Sequence, residues 1–174
     1  MGCKYCKEEI CRNADCPMCG DVCPVIDSPF VCRYEDRQVL ERFIEAQNET
    51  YRDALEEIKA GHKLTHWMWW TFPQYKGLGL SEISKHYEIQ SLAEARAYWE
   101  HHLLGERLRE CIRALLDLDT NDAAEVLGEI DAQKLKSSMT LFYFTGGQEL
   151  CGRVLDKFFP RELDYVTVGL LLKE

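Results

Sequence analysis

Cysteines are concentrated at the start of the chain, where seven of the nine lie within the first 32 residues. Cys3-x-x-Cys6 and Cys16-x-x-Cys19 each present two thiolates at a spacing that can bind one Zn²⁺ in tetrahedral geometry. In a reducing compartment, such a density favours metal binding over disulfide bonds. The segment therefore predicts a structural site for one or two zinc ions, with the ligands Cys3, Cys6, Cys11, Cys16, Cys19, Cys23 and Cys32.

An iron–sulfur cluster is the alternative metal centre. The run Cys16-x-x-Cys19-x-x-x-Cys23-Pro24 matches the end of a bacterial ferredoxin motif. The preceding cysteine of that motif would stand where this chain has Asn13. Zinc is therefore the preferred interpretation.

The cysteine-rich segment has almost no helical or strand periodicity, so it cannot bury an apolar core of its own. Metal binding would supply the free energy that orders it. We expect a small irregular zinc-bound leader over residues 1–35 and a compact multihelical domain over residues 36–174.

A second candidate site is the aromatic stretch from His66 to Gly79. Clustered tryptophans usually form a hydrophobic core, because each ring buries a large apolar area. The break at Pro73 and the Gly77-x-Gly79 sequence would instead expose backbone beside flat rings, which suits a planar ligand. Both interpretations stay open at this point.

A polar group of residues further along the chain could bind an anion. Lys134 and Lys136 are followed by the hydroxyls of Ser137, Ser138 and Thr140. In an acidic protein, such a turn can bind phosphate while a nearby indole stacks on a base. The simpler alternative is that the lysines are solvated and the serines allow close helix packing.

The aromatic stretch also carries a family resemblance. His66-Trp-Met-Trp-Trp-x-Phe-Pro-Gln74, followed by Gly77-Leu-Gly79-x-Ser81, resembles the domain-of-unknown-function family 1810, a small all-helical bacterial domain. The resemblance runs from about Arg42 to Leu171 and implies an all-α fold. It implies no activity, because the family has no settled one, and the family domain usually lacks the cysteine-rich leader. Further matching motifs are Ser91-Leu-Ala-Glu94, Leu104-Gly105-x-Arg107-Leu108 and Asp131-x-x-Lys134-Leu135-x-Ser137-Ser138.

A weaker similarity concerns only the order of these motifs. An aromatic-rich start, an Ala-Arg helix, a Leu-Gly-x-Arg-Leu helix and an Asp-x-x-Lys turn are similar in pattern to all-helical domains that handle ADP-ribose-type ligands. This likeness is one of pattern and not of a shared motif.

Apolar residues at helical spacing predict helices throughout the main domain. The first runs from about Val39 to Ile58 and ends at Gly61. Ser91-Leu-Ala-Glu94 predicts a capping box, and Asp131 is expected to cap the helix that carries Lys134. No alternating strand pattern is long enough to predict a sheet, so the fold class is all-α.

Composition excludes several classes of function. The formal net charge of −9 argues against binding to a nucleic-acid polymer, which needs a basic surface. No apolar run is long enough to span a bilayer, and the first residues contain no apolar signal-peptide core. We expect a cytoplasmic protein that binds no membrane.

Together these observations predict a pocket for a small anionic nucleotide-type ligand, for example an NAD-derived or ADP-ribose-like molecule. Turnover would need a general acid or base, for which His66, Glu94 and Asp131 are candidates, whereas a sequestering protein would need none. The alternative is a zinc-dependent protein-interaction module that binds a protein partner through the leader and uses the helical domain as scaffold. The predicted ligand-binding residues are His66, Trp67, Trp69, Trp70, Gln74, Arg107, Lys134, Ser137 and Ser138.

Overall fold

The computed structural model describes residues 34–160 and 162–173, with side chains from residue 39 onward. Helices dominate these residues, and the only β-type pairing among them is an isolated parallel bridge between Tyr75 and Ile89. The predicted all-α fold class is therefore confirmed. The predicted zinc ligands lie outside the described residues: Cys3, Cys6, Cys11, Cys16, Cys19, Cys23 and Cys32.

The described part of the chain contains nine α-helices, joined by short loops. The longest stretch between two of them covers residues 72–81 and contains the second half of the aromatic segment. In chain order the helices are α1 Tyr34–Lys59, α2 Met68–Thr71, α3 Glu82–His86, α4 Leu92–Glu100, α5 Leu104–Leu116, α6 Ala123–Leu127, α7 Glu129–Tyr143, α8 Gln148–Phe158 and α9 Tyr165–Leu171.

The capping signal before α4 works largely as the sequence predicts. Ser91 Oγ accepts a hydrogen bond from the backbone N–H of Glu94 at 3.0 Å, which satisfies one of the free donors of the first turn. The Glu94 carboxylate reaches back to the N–H of Gln90 at 2.6 Å, one residue before the cap. Its other oxygen accepts from Arg42 Nη2, also at 2.6 Å, so the capping carboxylate also pairs with a residue of α1.

The start of α7 differs from the prediction. Gly128 is the N-cap, and Asp131 falls inside the first turn, so the expected cap at Asp131 is wrong. Gly128 has a φ of +81°, a conformation that glycine adopts without steric cost, and it also ends α6. One residue therefore joins two helices directly and leaves the Asp131 carboxylate available for side-chain contacts.

The core is built around α7, which packs against α8, α6, α9 and α4. Its apolar residues Leu135, Met139 and Phe142 are fully buried. Helix α5, which packs against α8 and α4, contributes Leu108 and Ile112, which are buried as well. Each such side chain contributes about 1.5–3 kcal/mol by leaving water, so this packing fixes α7 in place.

Length and polarity rule out a membrane span for every helix within the described ranges.

Candidate functional site

The loop between α1 and α2 is held by one carboxylate. Glu57 Oε2 accepts hydrogen bonds from the N–H groups of Leu64 (2.8 Å) and Thr65 (3.1 Å) and from Trp67 Nε1 (2.7 Å). Its Oε1 accepts a fourth bond from the Thr65 hydroxyl at 2.7 Å. Burial alone would raise the pKa of Glu57, but these four donors outweigh it and lower the pKa to about 2. An ionised Glu57 therefore fixes the backbone that leads into the aromatic segment.

Two of the three neighbouring tryptophans belong to the core. Trp67 is fully buried, and its indole N–H is used by Glu57. Trp70 is also buried, and its Nε1 donates to Thr50 Oγ1 at 2.8 Å. The carbonyl oxygen of Trp70 accepts bonds from the buried Gln47 amide (2.8 Å) and the Tyr98 hydroxyl (2.9 Å). These rings therefore hold the segment in place and have no polar group left for a ligand.

Trp69, between them, is only partly buried and lies near two other predicted site residues, Lys134 and His66. The Lys134 ammonium lies 4.7 Å from the centroid of its ring, within the range of a cation–π contact. The imidazole of His66, which is exposed, lies 6.2 Å from the same ring. The structure thus brings His66, Trp69 and Lys134 together, although they come from different elements.

A carboxylate links Lys134 to a second lysine. Asp131 Oδ1 lies 2.7 Å from Lys134 Nζ, and Asp131 Oδ2 lies 2.8 Å from Lys63 Nζ. Burial would raise the pKa of Asp131, but hydrogen bonds from both ammonium groups outweigh it and lower the pKa. We call these three residues the Lys–Asp–Lys cluster, and it carries a formal charge of +1 at neutral pH.

Both lysines of the cluster lie next to tryptophans of the aromatic segment. Besides the contact between Lys134 and Trp69, the Lys63 ammonium lies 5.2 Å from the ring centroid of Trp67. The backbone N–H of Lys63 donates to the carbonyl of Val126 at 2.8 Å, which ties the loop to the end of α6. The side chains of Lys63, Asp131 and Lys134 are 10%, 16% and 20% exposed, so the charges are only partly solvated.

Lys63 is a residue of this site that the sequence did not predict. No local pattern joins Lys63 to Asp131, because the loop fixed by Glu57 and the glycine junction before α7 are what bring them together. The only sequence signal was the position of Lys63 just before the aromatic motif.

The three predicted hydroxyls on α7 have different environments. The Ser137 hydroxyl is hydrogen-bonded to Thr167 Oγ1 at 2.8 Å, and Thr140 Oγ1 donates to the carbonyl of Lys136 at 2.8 Å. Ser138 is fully buried, and its Oγ has no hydrogen-bond partner within the described part of the chain. A buried polar atom without a partner is rare and costs about 1–3 kcal/mol. Ser138 lies one helical turn after Lys134, on the same side of α7.

The other two predicted ligand-binding residues lie in different surroundings. Arg107 Nη2 donates to Asn48 Oδ1 at 3.1 Å, and its guanidinium lies 4.8 Å from the ring centroid of Tyr51. Arg107 is thus placed against α1. Gln74 is half-buried, and its backbone carbonyl accepts a hydrogen bond from the N–H of Ile89 at 2.8 Å, next to the isolated bridge.

Over the described ranges, no three histidine, cysteine, aspartate or glutamate side chains are grouped so that they could hold a metal ion. What these residues offer chemically is a pair of ammonium groups, a flat indole and an imidazole at one place. Such a combination can bind an anion that carries a planar group.

Comparison with known proteins places the chain in a group of relatives. A profile described as "Protein of unknown function (DUF1810)" matches residues 37–171. Among solved structures, the chain is similar to the conserved hypothetical protein Rv1873 from Mycobacterium tuberculosis, whose crystal structure was determined at 1.38 Å. The two share 42% sequence identity with a TM-score of 0.74, over 76% of this chain and 96% of that one.

No curated protein matches the chain. The family profile nevertheless spans most of the sequence and includes the aromatic motif, the Asp131–Lys134 turn and the serines of α7. The resemblance inferred from those motifs is therefore confirmed: the chain belongs to the DUF1810 family.

Proposed function

We propose that this protein binds a small anionic nucleotide-type ligand at the Lys–Asp–Lys cluster and Trp69. The observation that carries the proposal is the position of the Lys134 ammonium 4.7 Å from the centroid of the partly exposed Trp69 ring, while Asp131 also holds Lys63 beside it. Two cations and a flat ring at one place match the phosphate and base of a nucleotide.

Hydrogen-bonding capacity supports the proposal. An ammonium group has three N–H donors. The hydrogen bonds and ion pairs described for the ammonium groups of Lys63 and Lys134 all go to Asp131, so each ammonium has donors left for a phosphate oxygen. In a partly buried position, charge-assisted hydrogen bonds of this kind are roughly twice as strong as neutral ones.

The planar part of the ligand is assigned to the Trp69 side of the cluster. Stacking of a base on an aromatic ring contributes about 1–3 kcal/mol in nucleic-acid complexes. The exposed imidazole of His66 lies beside the same ring and supplies a second flat surface. An NAD-derived or ADP-ribose-like molecule carries both the base and the phosphates that this arrangement suits.

The proposal is one of binding, with sequestration as its simplest biological use. Of the three acid–base candidates, Glu94 is paired with Arg42 and Asp131 is held ionised between two lysines. His66 is the candidate that remains free to transfer a proton next to a ligand on Trp69. Turnover is tested by incubating the protein with NAD and ADP-ribose and following the products by chromatography.

Native mass spectrometry of protein purified from cells tests the proposal, followed by calorimetric titration with NAD, ADP-ribose and AMP. We expect a co-purified nucleotide or saturable binding, and at least a hundredfold loss of affinity in the double variant Trp69→Ala, Lys134→Ala. The matched control is Tyr165→Ala, Lys173→Ala, which removes an exposed aromatic residue and an exposed lysine elsewhere. Unchanged affinity in the first double variant would disprove the site.

We also propose a cytoplasmic location and the structural zinc in the cysteine-rich leader, which both rest on the sequence. The same mass spectra test the metal, because the mass retained under native conditions distinguishes zinc from iron and counts the ions. A Cys16→Ser, Cys19→Ser variant should lose one metal ion and keep its affinity for nucleotide. Metal retained by a wild-type protein that binds none of the nucleotides would argue for the protein-interaction alternative.

A further inference from the structure

We propose that helix α9 is the surface through which two copies of this chain associate, pairing antiparallel about a twofold axis that passes next to Gly169. The inference concerns a part of the molecule that the proposed ligand site does not use. It rests on which side of α9 faces the core, on the space beside Gly169 and on the charges at the two ends of the helix.

Helix α9 turns its polar residue inward and its apolar residues outward. Within α9, whose residues are all described, Thr167 alone is buried, and its hydroxyl is hydrogen-bonded to Ser137 Oγ at 2.8 Å. Tyr165 and Val166 are 76% and 61% exposed, and Leu172, directly after the helix, is 82% exposed. The run from Tyr165 to Leu172 contains no charged residue. Contiguous exposed apolar surface of this kind marks an interaction site.

The spacing of the exposed residues places them on one stripe. Tyr165, Gly169 and Leu172 stand at positions i, i+4 and i+7, which share one face of a helix, opposite Thr167. A Cβ at Gly169 would meet no atom within 4 Å in the described part of the chain. A second helix can therefore approach the backbone of α9 closely at Gly169, between the two large side chains.

The apolar surface continues onto α7. The N–H of Asp164 donates to Thr140 Oγ1 at 2.9 Å, and Thr167 is bonded to Ser137, so α9 runs antiparallel to α7. Ile130 lies on the same side of α7 as Ser137, two turns or about 10 Å before it, and so next to the C-terminal end of α9. Its side chain is 74% exposed and extends the apolar surface at that end.

A second copy fits this surface because the surface is complementary to itself. In an antiparallel pair with the twofold axis at Gly169, Tyr165 of each copy packs on Leu172 of the other, since both residues flank Gly169 at similar distances. The exposed side chains offer on the order of 500 Å² in total, contributed by Tyr165, Val166, Leu172 and Ile130. A standard interface buries about 800 Å² on each partner. This surface therefore supplies the apolar centre of a small, reversible interface, and neighbouring residues supply its rim.

Charge favours a second copy in this orientation. Glu162 and Asp164 precede α9, and the exposed Lys173 follows it. Antiparallel pairing brings Lys173 of each copy next to the acidic end of the other. Exposed pairs of this kind add little affinity but fix the orientation. The formal net charge of −9 makes other parts of the surface repel a second copy, and it also opposes binding to an anionic lipid surface.

Sedimentation equilibrium of the full-length protein from about 1 µM to about 300 µM tests the proposal, with a reductant present to prevent disulfides between copies. We expect a reversible monomer–dimer equilibrium within this range. Tyr165→Lys should weaken it roughly a hundredfold, because twofold symmetry removes the ring twice and brings each new ammonium near Lys173 of the other copy. Leu80→Lys is the matched control, since Leu80 is 92% exposed in the loop before α3, and it should keep the dimer.

Gly169→Gln separates association from folding. Replacing a helical glycine favours the helix, and a side chain at this position meets open space in the described part of the chain. The variant should therefore unfold at the wild-type temperature or above it. The same side chain would stand between the two paired helices, so we expect the dimer to be at least about tenfold weaker.

Two results would overturn the proposal. One is a monomer at every concentration, which would leave the surface to a partner of another kind. The other is a dimer that survives both Tyr165→Lys and Gly169→Gln, because it would use a different surface. The double variant Tyr165→Ala, Lys173→Ala should be monomeric and keep its affinity for nucleotide, so the association and the ligand site can fail separately.

Discussion

Lys157 and Lys134 both extend from long helices and place an ammonium near an aromatic ring, but they use their hydrogen bonds differently. Lys157 Nζ donates to the carbonyls of Leu115 (3.3 Å) and Leu116 (2.9 Å) at the end of α5 and of Leu118 just after it. All three of its donors are used by backbone. The hydrogen bonding described for Lys134 is confined to Asp131.

The difference separates a lysine whose donors are all used to stabilise the fold from lysines whose donors could still bind a ligand. The last carbonyls of a helix have no partner within that helix, and a cation there also opposes the negative end of the helix dipole. Lys157 meets both needs and has no donor left. Lys63 and Lys134 share one carboxylate and keep donors, which is why we place the ligand beside them.

Glu57→Gln should have the largest effect on stability. The carboxylate accepts four hydrogen bonds from the loop before α2. A glutamine amide can accept fewer of them, and its NH₂ group would face the N–H and O–H donors of the loop. We expect a loss of about 3 kcal/mol in the free energy of unfolding, measured by urea titration. Glu56→Gln, the exposed neighbour, should change it by less than about 0.5 kcal/mol.

The same carboxylate gives a pH dependence. The pKa of Glu57 in the folded protein is about 2, below its ordinary value of 4.5. Its contribution is therefore complete above about pH 5 and decreases as the pH falls toward 2. Urea titrations at pH 7 and pH 3 should show the gap between wild type and Glu57→Gln shrinking by about half or more. An equal gap at both pH values would contradict this account.

Lys157→Met should cost about 2 kcal/mol, because it leaves the carbonyls at the end of α5 without their charged donor. The methionine keeps most of the apolar stem, so the loss reports the ammonium. Lys173→Met, at an exposed position, is the control. If both variants unfold at the wild-type urea concentration, Lys157 does not stabilise α5.

Ser137→Ala and Ser138→Ala differ by one position on α7 and should differ in stability. Ser137 loses its bond to Thr167, so we expect a cost of about 1 kcal/mol. Ser138 has no partner within the described residues, so removing its hydroxyl should leave stability unchanged or raise it.

Lys134→Met should have the smallest effect on folding, about 0.5 kcal/mol or less, because partly exposed ion pairs contribute little. Asp131 keeps Lys63 as a partner in this variant. The ligand affinity should nevertheless fall by more than tenfold. A large loss of stability, measured by thermal unfolding, would move Lys134 into the same structural class as Lys157.

Most of the fold could be predicted from local signals. Helical spacing of apolar residues, the Ser91 cap and the glycine after α1 each act within a few residues, and they recover the helices and the all-α class. The misplaced cap at Asp131 shows the limit of this approach. A single glycine at positive φ joins two helices, and Asp131 lies in the first turn of the second together with Glu129.

The site could be predicted only in part, because its geometry depends on contacts between distant segments. His66, Trp69 and Lys134 were found from residue type and motif, and the structure brings them together. Residue type alone could not separate Trp69 from Trp67, since which indole is buried depends on Glu57 in another helix. No sequence pattern marks Lys63 as a site residue, because it contacts Asp131 only once the loop is folded.

The four hydrogen bonds that Glu57 accepts have a kinetic consequence. Because four hydrogen bonds already hold the loop before α2, association of a ligand would not have to wait for that segment to order or pay its conformational entropy. Association should then be a single fast phase whose rate rises linearly with ligand concentration, and differences in affinity between related ligands should appear mainly in their dissociation rates.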